Sequence, residues 1–359
     1  MSDLTYYTND GYFNEIIHGY FDKKSNWKNS KNSKNIKKVT FFNSLTETCQ
    51  KCKIVSDFKD TSALGNKKKL YQNLIKYGEK NSLKLSYLPE TYSFTIDENL
   101  DKFKKLKFWK NKEWILKPEF GMRQEGIGRV RNYSEFYKWL KKNETEKKWI
   151  IQRYVHTPLL YMKKKFHFRV YAFILRYGNR FEGWVYPEGY MYVADKEYTP
   201  NVFDKYTHIT TSCNNKTFPG DYNTYFGEGE FEKKILPQIK TICKDSILAT
   251  YKTMTCPNEN LSNDYICWKM IAYDIIPSIS KKLYLMEANA RIIGMAESDP
   301  PGNCYSKTPS LQTKEFKIGL MYNMLNISLD KLNNLGKLIQ PESKNSEKYK
   351  MIQLLSIKI

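Results

Sequence analysis

A chain of 359 residues exceeds the roughly 150 residues of a typical domain, so two or three compact units are expected. Hydrophobic residues make up 41% and aromatic residues 15% of it, enough for ordinary cores at a mean hydropathy of -0.65, which excludes global disorder. No apolar run approaches the roughly 18 residues of a membrane span, and the opening Met1 to Tyr6 lacks the apolar stretch of a secretory leader, so a soluble, cytoplasmic, monomeric protein with no membrane contact is expected.

Lys and Arg number 59 against 38 Asp and Glu, a net charge of +21, and that field selects acidic partners, whether nucleic acid, nucleotides or acidic protein tails. Many lysines stand among asparagine and serine, as from Lys28 to Asn35, a mixture that biased composition also produces. Of seven cysteines only Cys49 and Cys52 have metal or redox spacing. Cys213, Cys243, Cys256, Cys267 and Cys304 supply no second short-spaced pair, so reduced thiols are expected rather than a zinc site.

In chain order, residues 22–38 form a polar insert read as a flexible loop, and a short strand follows at 39–42. Leu70, Leu74, Ile75 and Tyr77, entered through Lys67, Lys68 and Lys69, have helical spacing over 67–77. Pro89 then opens extended structure, with a boundary near residue 85. A short helix over 97–106 and a strand over 113–118, stopped by Pro118, lead to a glycine-containing loop over 119–128. A helix over 134–142, capped by Ser134, precedes a strand over 149–152. Strands over 166–175 and 181–186 read as antiparallel across Tyr177, Gly178 and Asn179. Phe231, Ile235, Ile239 and Ile242 mark a helix within 229–253, and strands over 266–274 and 282–290 follow. The order is that of an α+β fold with antiparallel sheets. It divides into an N-terminal domain (1–85), a central subdomain (86–157), a C-terminal subdomain (158–325) and a basic tail (326–359).

Three clusters carry chemistry. Alternation along 282–290 puts Leu283, Leu285, Glu287 and Asn289 on one face. A hairpin through Ser280 and Lys281 would set Asp274 across from Glu287. Two carboxylates and an amide at one point call for a cation, and hard oxygen donors with room for water and phosphates suit Mg²⁺; the plain alternative is an exposed polar sheet face. Lys165, His167 and Arg169 share a face opposite Phe166, Phe168 and Val170, and in so basic a chain such a face is ordinarily a solvated edge. The loop over 119–128, flanked by Lys117 and Arg123, offers backbone N–H groups and two cations to phosphates. It matches neither the P-loop nor the dinucleotide fingerprint. No nucleophile elbow is present, and His18, His156, His167 and His208 have no evident cysteine partner.

Taken in order, these segments resemble the tubulin–tyrosine ligase-like family of ATP-grasp enzymes. The likeness rests on Leu88 to Tyr92, Trp114 to Pro118 with Arg123, Gly126 and Ile127, Ile151 to Val155 with Pro158 to Leu160, Lys165 to Tyr171, Tyr186 to Gly189, His208 to Thr210, Asp274, and Leu285 to Asn289, across roughly 65–295. It implies two α+β subdomains that clamp ATP between antiparallel sheets, and an ATP-dependent ligase that forms an amide through an acyl phosphate. Carried over by residue, Lys117 and Lys165 contact ATP phosphates, with Arg123, Gly126, Ile127 and His167 beside them. Gln152 and the Arg153, Tyr154 and Val155 backbone meet the adenine. Asp274, Glu287 and Asn289 hold Mg²⁺, and Arg169 stabilises the charge in transfer.

The chain departs from the family pattern at five places. The family usually has Asp where His167 stands, Arg where Tyr192 stands, Asn for Thr211, Gly for Gln124 and Pro for Ile292. The change to Tyr192 removes a cation from the phosphate or substrate end of the cleft, where Arg291 is a candidate substitute. Three functions follow as expectations. The first is a ligase adding an amino acid, glutamate slightly ahead of tyrosine or glycine, to an acidic protein tail, tubulin foremost. The second is an ATP-binding module of altered catalysis on microtubules or another acidic surface. The third is a basic nucleic-acid-binding protein.

Overall fold

The structure, a computed structural model, describes residues 4–9, 14–30, 40–44, 52–56, 58–97, 100–119, 126–201, 203–210, 217–219, 225–227, 229–256, 265–290, 311–334 and 351–358. Arg123, Gln124, Thr211, Arg291 and Ile292, all named above, lie outside them, as do residues 31–38 of the polar insert, whose described part, 22–30, holds a short strand at Trp27–Asn29 where a flexible loop was expected.

Four N-terminal strands, β1 (Leu4–Asn9), β2 (Trp27–Asn29), β3 (Phe41–Ser44) and β4 (Ile54–Val55), pair in parallel in the order β2-β1-β3-β4. Helix α1 (Asn14–Phe21) packs Ile17 and Phe21 into the core beneath them. Two helices follow, α2 (Ser62–Gly65) and α3 (Lys67–Lys80), the second capped by Asn66, whose side chain accepts the Lys69 N–H.

The small sheet is fully antiparallel. Its strands β5 (Thr91–Thr95), β6 (Trp114–Pro118), β7 (Gly128–Val130) and β8 (Lys148–Arg153) run in the order β5-β8-β6-β7. Period-two alternation sends Trp114, Leu116, Trp149 and Ile151 into an aromatic core with Phe94, Phe103 and Phe136 and leaves Thr91, Lys117, Ile150 and Gln152 on the other face. The helix expected over 97–106 is two short ones, α4 (Asp101–Lys104) and α5 (Leu106–Trp109), because Lys105 is extended. Helix α6 (Tyr133–Lys142) begins one residue earlier than expected. Its cap is Asn132, whose side chain accepts the Glu135 N–H, so Ser134 lies inside the first turn.

The large sheet has 11 strands among the described residues. Besides β1 to β4 it holds β9 (Leu160–Tyr161), β10 (Lys164–Tyr177), β11 (Arg180–Val193), β12 (Thr217–Pro219), β13 (Ile266–Pro277), β14 (Leu283–Asn289) and β15 (Ile352–Lys358). The order is β12-β11-β10-β13-β4-β3-β1-β2, with β14 on β13, β15 on β11 and β9 on β10. The β10–β11 hairpin turns at Gly178 and Asn179, with Gly178 at φ 50. Three helices complete the unit: α7 (Lys205–His208), α8 (Leu236–Thr250) and α9 (Leu311–Asn334). Helix α8 covers one face through Ile239, Ile242 and Ile247. Helix α9 covers the other through Phe316, Leu320, Met324 and Leu332, the spacing of an amphipathic helix.

Three features differ from the sequence expectations. The N-terminal strands continue the large sheet, since β4 pairs with β13 at Ile54–Ile266 and Val55–Cys267. At the other terminus, α9 runs on through residue 326 to Asn334, and Ile352–Lys358 is strand β15 rather than a solvated tail. Buried Glu182 fixes this end by accepting hydrogen bonds from Tyr177, Trp184 and Lys331. Thirdly, a disulfide joins Cys256 and Cys267, whose Cα atoms are 5.9 Å apart, and Cys52 is also disulfide-bonded, against the expectation of reduced thiols. Pairing of β4 with β13 gathers these segments, because Lys53 O accepts the Ile266 N–H and Thr255 O the Lys59 N–H.

Candidate active site

A cleft opens between the polar face of the small sheet, helix α3 and strand β14. Its lining includes Lys67, Tyr71, Thr91, Lys117, Gln152 and Met286. Gln152 is 5% exposed and fully engaged. Its Oε1 accepts from Lys117 Nζ at 3.0 Å, and its Nε2 donates to Thr91 Oγ1 at 3.0 Å. Thr91 in turn donates its hydroxyl to Pro89 O at 2.8 Å and its N–H to the Tyr71 hydroxyl at 3.1 Å. The amide is therefore held in one orientation, with apolar Leu70, Leu88 and Leu285 beside it in the cleft. Of the Arg153 to Val155 segment, the N–H groups of Arg153 and Tyr154 already donate to Glu90 O and Glu113 O.

The large-sheet wall is charged. Along β10 the odd positions switch character: Lys165, His167 and Arg169 are followed on the same face by Tyr171, Phe173 and Leu175, which pack under α9. The even positions, Phe166 to Ile174, fill the other core throughout. The basic face is not a solvated edge, since Lys165 and His167 are each 3% exposed. Lys165 Nζ donates to the Tyr154 hydroxyl at 3.0 Å and lies over that ring, and the hydroxyl meets His208 Nδ1 at 2.6 Å. Burial pushes the Lys165 ammonium down to about 7, with help from the neighbouring cations Lys117 and Arg129. Burial likewise lowers Lys117, to about 8.

The two strands that carry the acids pair as the hairpin requires, Asp274 against Glu287. A β-bulge decides how. Ile275 pairs with Leu285, so Met286 is the extra residue, and parity flips there: Leu283 and Leu285 point into the core with Ala288 and Ala290, whereas Glu287 and Asn289 turn to the site. Leu285 and Glu287 therefore do not share a face, as simple alternation implied; the bulge re-aims the carboxylate.

Arg169 clasps Asp274 with two parallel bonds, Nε to Oδ1 at 2.8 Å and Nη2 to Oδ2 at 2.9 Å. Burial alone would raise the Asp274 carboxyl, but the Arg169 guanidinium, with His167 beside it, holds it well below the usual carboxylate range. Tyr192 lies under this pair, its ring 4.7 Å from the guanidinium carbon and stacked on His167 at 5.0 Å. Asn289 Nδ2 stands 3.5 Å from both Asp274 Oδ2 and Glu287 Oε1, and Lys67 Nζ balances Glu287 Oε2 at 3.3 Å. The donors here are hard oxygens from two carboxylates and one amide, a set that fits Mg²⁺ completed by phosphates. Among the described residues no group of three or more His, Cys, Asp or Glu side chains is placed to hold a metal ion by itself.

Gly126, with φ +66, turns the end of the loop onto Pro118; Ile127 beside it is half-buried. The sequence reading assigned no site role to Lys67, Tyr71, Thr91, Arg129 or Thr210. Thr91 and Thr210 stand within segments that carry the family likeness, whereas Lys67, Tyr71 and Arg129 have no local signal until the fold sets them near Glu287, Thr91 and Tyr154.

A small antiparallel sheet and a large mixed sheet closing on a cleft of cations, amide and carboxylates have the ATP-grasp fold. The C-terminal domain of K. lactis Pby1, described as an ATP-grasp enzyme interacting with the mRNA decapping enzyme Dcp2, matches this fold with a TM-score of 0.66 over 99% of this chain and 100% of that one, at 18% identity. The chain belongs to the Tubulin-tyrosine ligase family, whose model matches residues 45–291. It is 25% identical over 293 residues to a probable tubulin polyglutamylase, ttll-9, of Caenorhabditis elegans, covering 77% of this chain and 66% of that protein. To Tubulin glycylase 3C of Tetrahymena thermophila it is 27% identical over 198 residues, 49% of this chain and 18% of that protein. The chain thus spans less than two thirds of either relative. No described helix is long and apolar enough to cross a membrane.

Proposed function

We propose that this protein is an ATP- and Mg²⁺-dependent ligase that joins an amino acid to an acidic protein tail, with tubulin the foremost acceptor and glutamate ahead of tyrosine or glycine as donor. The supporting observation is the convergence of Lys117 and Gln152 from one sheet with Lys165, Arg169, Asp274, Glu287 and Asn289 from the other. The relatives named as tubulin polyglutamylase and glycylase support the acceptor class, and the net charge of +21 favours encounter with an acidic tail.

A carboxylate is a poor acyl donor until the γ-phosphate of ATP is passed to it, after which an amine attacks the acyl phosphate. In this reading Gln152 orients the adenine, while Lys117 and Lys165 hold the phosphates in a water-poor cleft. Arg169 stabilises the charge spread over the equatorial oxygens during transfer. Asp274, Glu287 and Asn289 would hold Mg²⁺, which neutralises phosphate charge when bound.

A second reading has its own support: Arg169 is committed to Asp274 and roofed by Tyr192, as suits an ATP-binding module of altered catalysis. One experiment separates the two. Labelled glutamate, tyrosine and glycine are offered in separate Mg²⁺-ATP reactions with purified tubulin, comparing wild type with Glu287→Gln. Incorporation that disappears in the variant supports the ligase and identifies its donor. ATP binding without incorporation makes the module the better reading.

A further inference from the structure

Lys165 is a buried cation whose charged neighbours work against it. It is 3% exposed, and burial, then the cations Lys117 and Arg129, weaken its hold on a proton. What offsets them is one phenol. Lys165 Nζ donates to the Tyr154 hydroxyl at 3.0 Å and stands 4.5 Å from the centre of that ring, so an oxygen lone pair and a π-face both favour the charged form.

An ammonium only donates, so the phenol oxygen accepts from Lys165 and its own O–H is left to be donated elsewhere. His208 Nδ1, 2.6 Å from that oxygen, is the acceptor, which requires the neutral ring with its proton on Nε2. Aromatic walls suit an uncharged imidazole: the rings of Tyr198 and Phe203 lie 5.1 Å and 5.3 Å from that of His208, itself 3% exposed. The chain of bonds joins three elements. Tyr154 follows β8 of the small sheet, anchored by its backbone N–H on Glu113 O, Lys165 lies on β10 of the large sheet, and His208 ends α7, which Asp204 caps. Besides these, the titratable and charged groups around Lys165 and Tyr154 are Lys117 on β6, Arg129 on β7 with its partner Glu113, Tyr198 after β11, and His167 on Lys165's own strand.

We propose that Tyr154 and His208 are positioning residues for Lys165: His208 Nδ1 orients the phenol, and the phenol oxygen holds the Lys165 ammonium charged and in place for the phosphates of a nucleotide. The proposal rests on the reading above in which Lys165 binds phosphate, and adds the two residues through which that cation is kept. Hydrogen bonds in series polarise one another, so removing the last acceptor weakens the first bond.

The test is the affinity of the full chain for Mg²⁺-ATP, measured by isothermal titration across pH 6 to 9. Tyr154→Phe keeps the ring and removes the acceptor. It should weaken binding at pH 7.5 about tenfold and move the decline of affinity about one pH unit lower, the scale of one hydrogen bond to a charged group. His208→Phe should shift the profile in the same direction by less, and His208→Asn, which returns an acceptor near the place of Nδ1, should restore it. In a Lys165→Met background both the Tyr154→Phe and His208→Phe effects should vanish, whereas a role confined to packing would persist there. An equal effect of Tyr154→Phe in both backgrounds, or a pH profile that does not move, overturns the proposal; should that variant fail to fold, the two His208 variants decide. If Lys165→Met lowers ATP affinity while the Tyr154 and His208 changes do not, only this inference falls; if Lys165→Met leaves affinity unchanged, the phosphate reading of Lys165 falls with it.

Discussion

The two walls of the cleft do different work with different physics. The small sheet presents a single cation, Lys117, tied by its hydrogen bond to Gln152 into one chain of bonds with Thr91 over an aromatic core. The large sheet presents buried charge, with Arg169 against Asp274 and Lys165 against the Tyr154 hydroxyl. A chain of mostly uncharged hydrogen bonds fixes orientation at little electrostatic cost, whereas buried ion pairs hold only while each charge keeps its partner. The first wall suits recognition of a base, and the second suits stabilisation of a phosphoryl group in transfer.

The sharpest way to break this contrast is Arg169→Gln. Asp274, with a side chain 6% exposed, would be left as an uncompensated buried carboxylate, so denaturant unfolding should report a loss of about 3–5 kcal/mol. Ligation under the proposed function should fall about 10² to 10³-fold besides. On the opposite wall, Trp149→Ala empties a fully buried core position and should cost about 3–5 kcal/mol through its cavity, without altering the charge-dependent behaviour of the large-sheet wall.

Stability and ATP affinity should respond oppositely to pH. Lys165 is lowered to about 7 in the folded chain, against about 10.4 for an unfolded lysine. Between those values the unfolded state binds more protons, so this group makes stability rise with pH through that window. Thermal unfolding of wild type should therefore steepen upward from pH 7 relative to Lys165→Met. ATP affinity should move the other way, weakening as Lys165 and then Lys117, at about 8, lose their protons; isothermal titration at pH 6.5 and 9 checks it. Within the small sheet, Gly126→Ala meets both a left-handed backbone at φ +66 and Pro118 Cγ at 2.9 Å from the added carbon, for about 1–2 kcal/mol of lost stability. The smallest effect belongs to the half-exposed Lys112–Glu90 pair, 2.8 Å apart. Lys112→Gln should change stability by less than about 1 kcal/mol, and a larger loss would mean that charge matters as much on that wall as on the other.

Much of this was legible in the chain. Alternating Phe166, Phe168 and Val170 identify the buried side of β10, and Gly178 with Asn179 announces its hairpin, because strand periodicity and turn chemistry are local. The acids of 274 and 287 could be set opposite one another by counting across Ser280 and Lys281. Counting could not find the bulge at Met286, which leaves no mark in composition yet decides that Glu287 faces the cleft rather than the core. Nor could it tell a buried cationic face from a solvated one, since burial of Lys165 depends on Tyr154, His208 and Arg129, brought from distant segments.

The amino-acid sequence by itself determined the α+β element order, the resemblance to a family and the residue types that could bind phosphate and metal, all properties of neighbours along the chain. Only the tertiary structure decided that β1 to β4 join the large sheet through β13, that β15 returns to β11, and that His167 stacks on Tyr192 with its Nε2 toward Asp274. Each of these is a pairing between residues far apart in sequence, set by backbone hydrogen bonds and burial that no local pattern encodes.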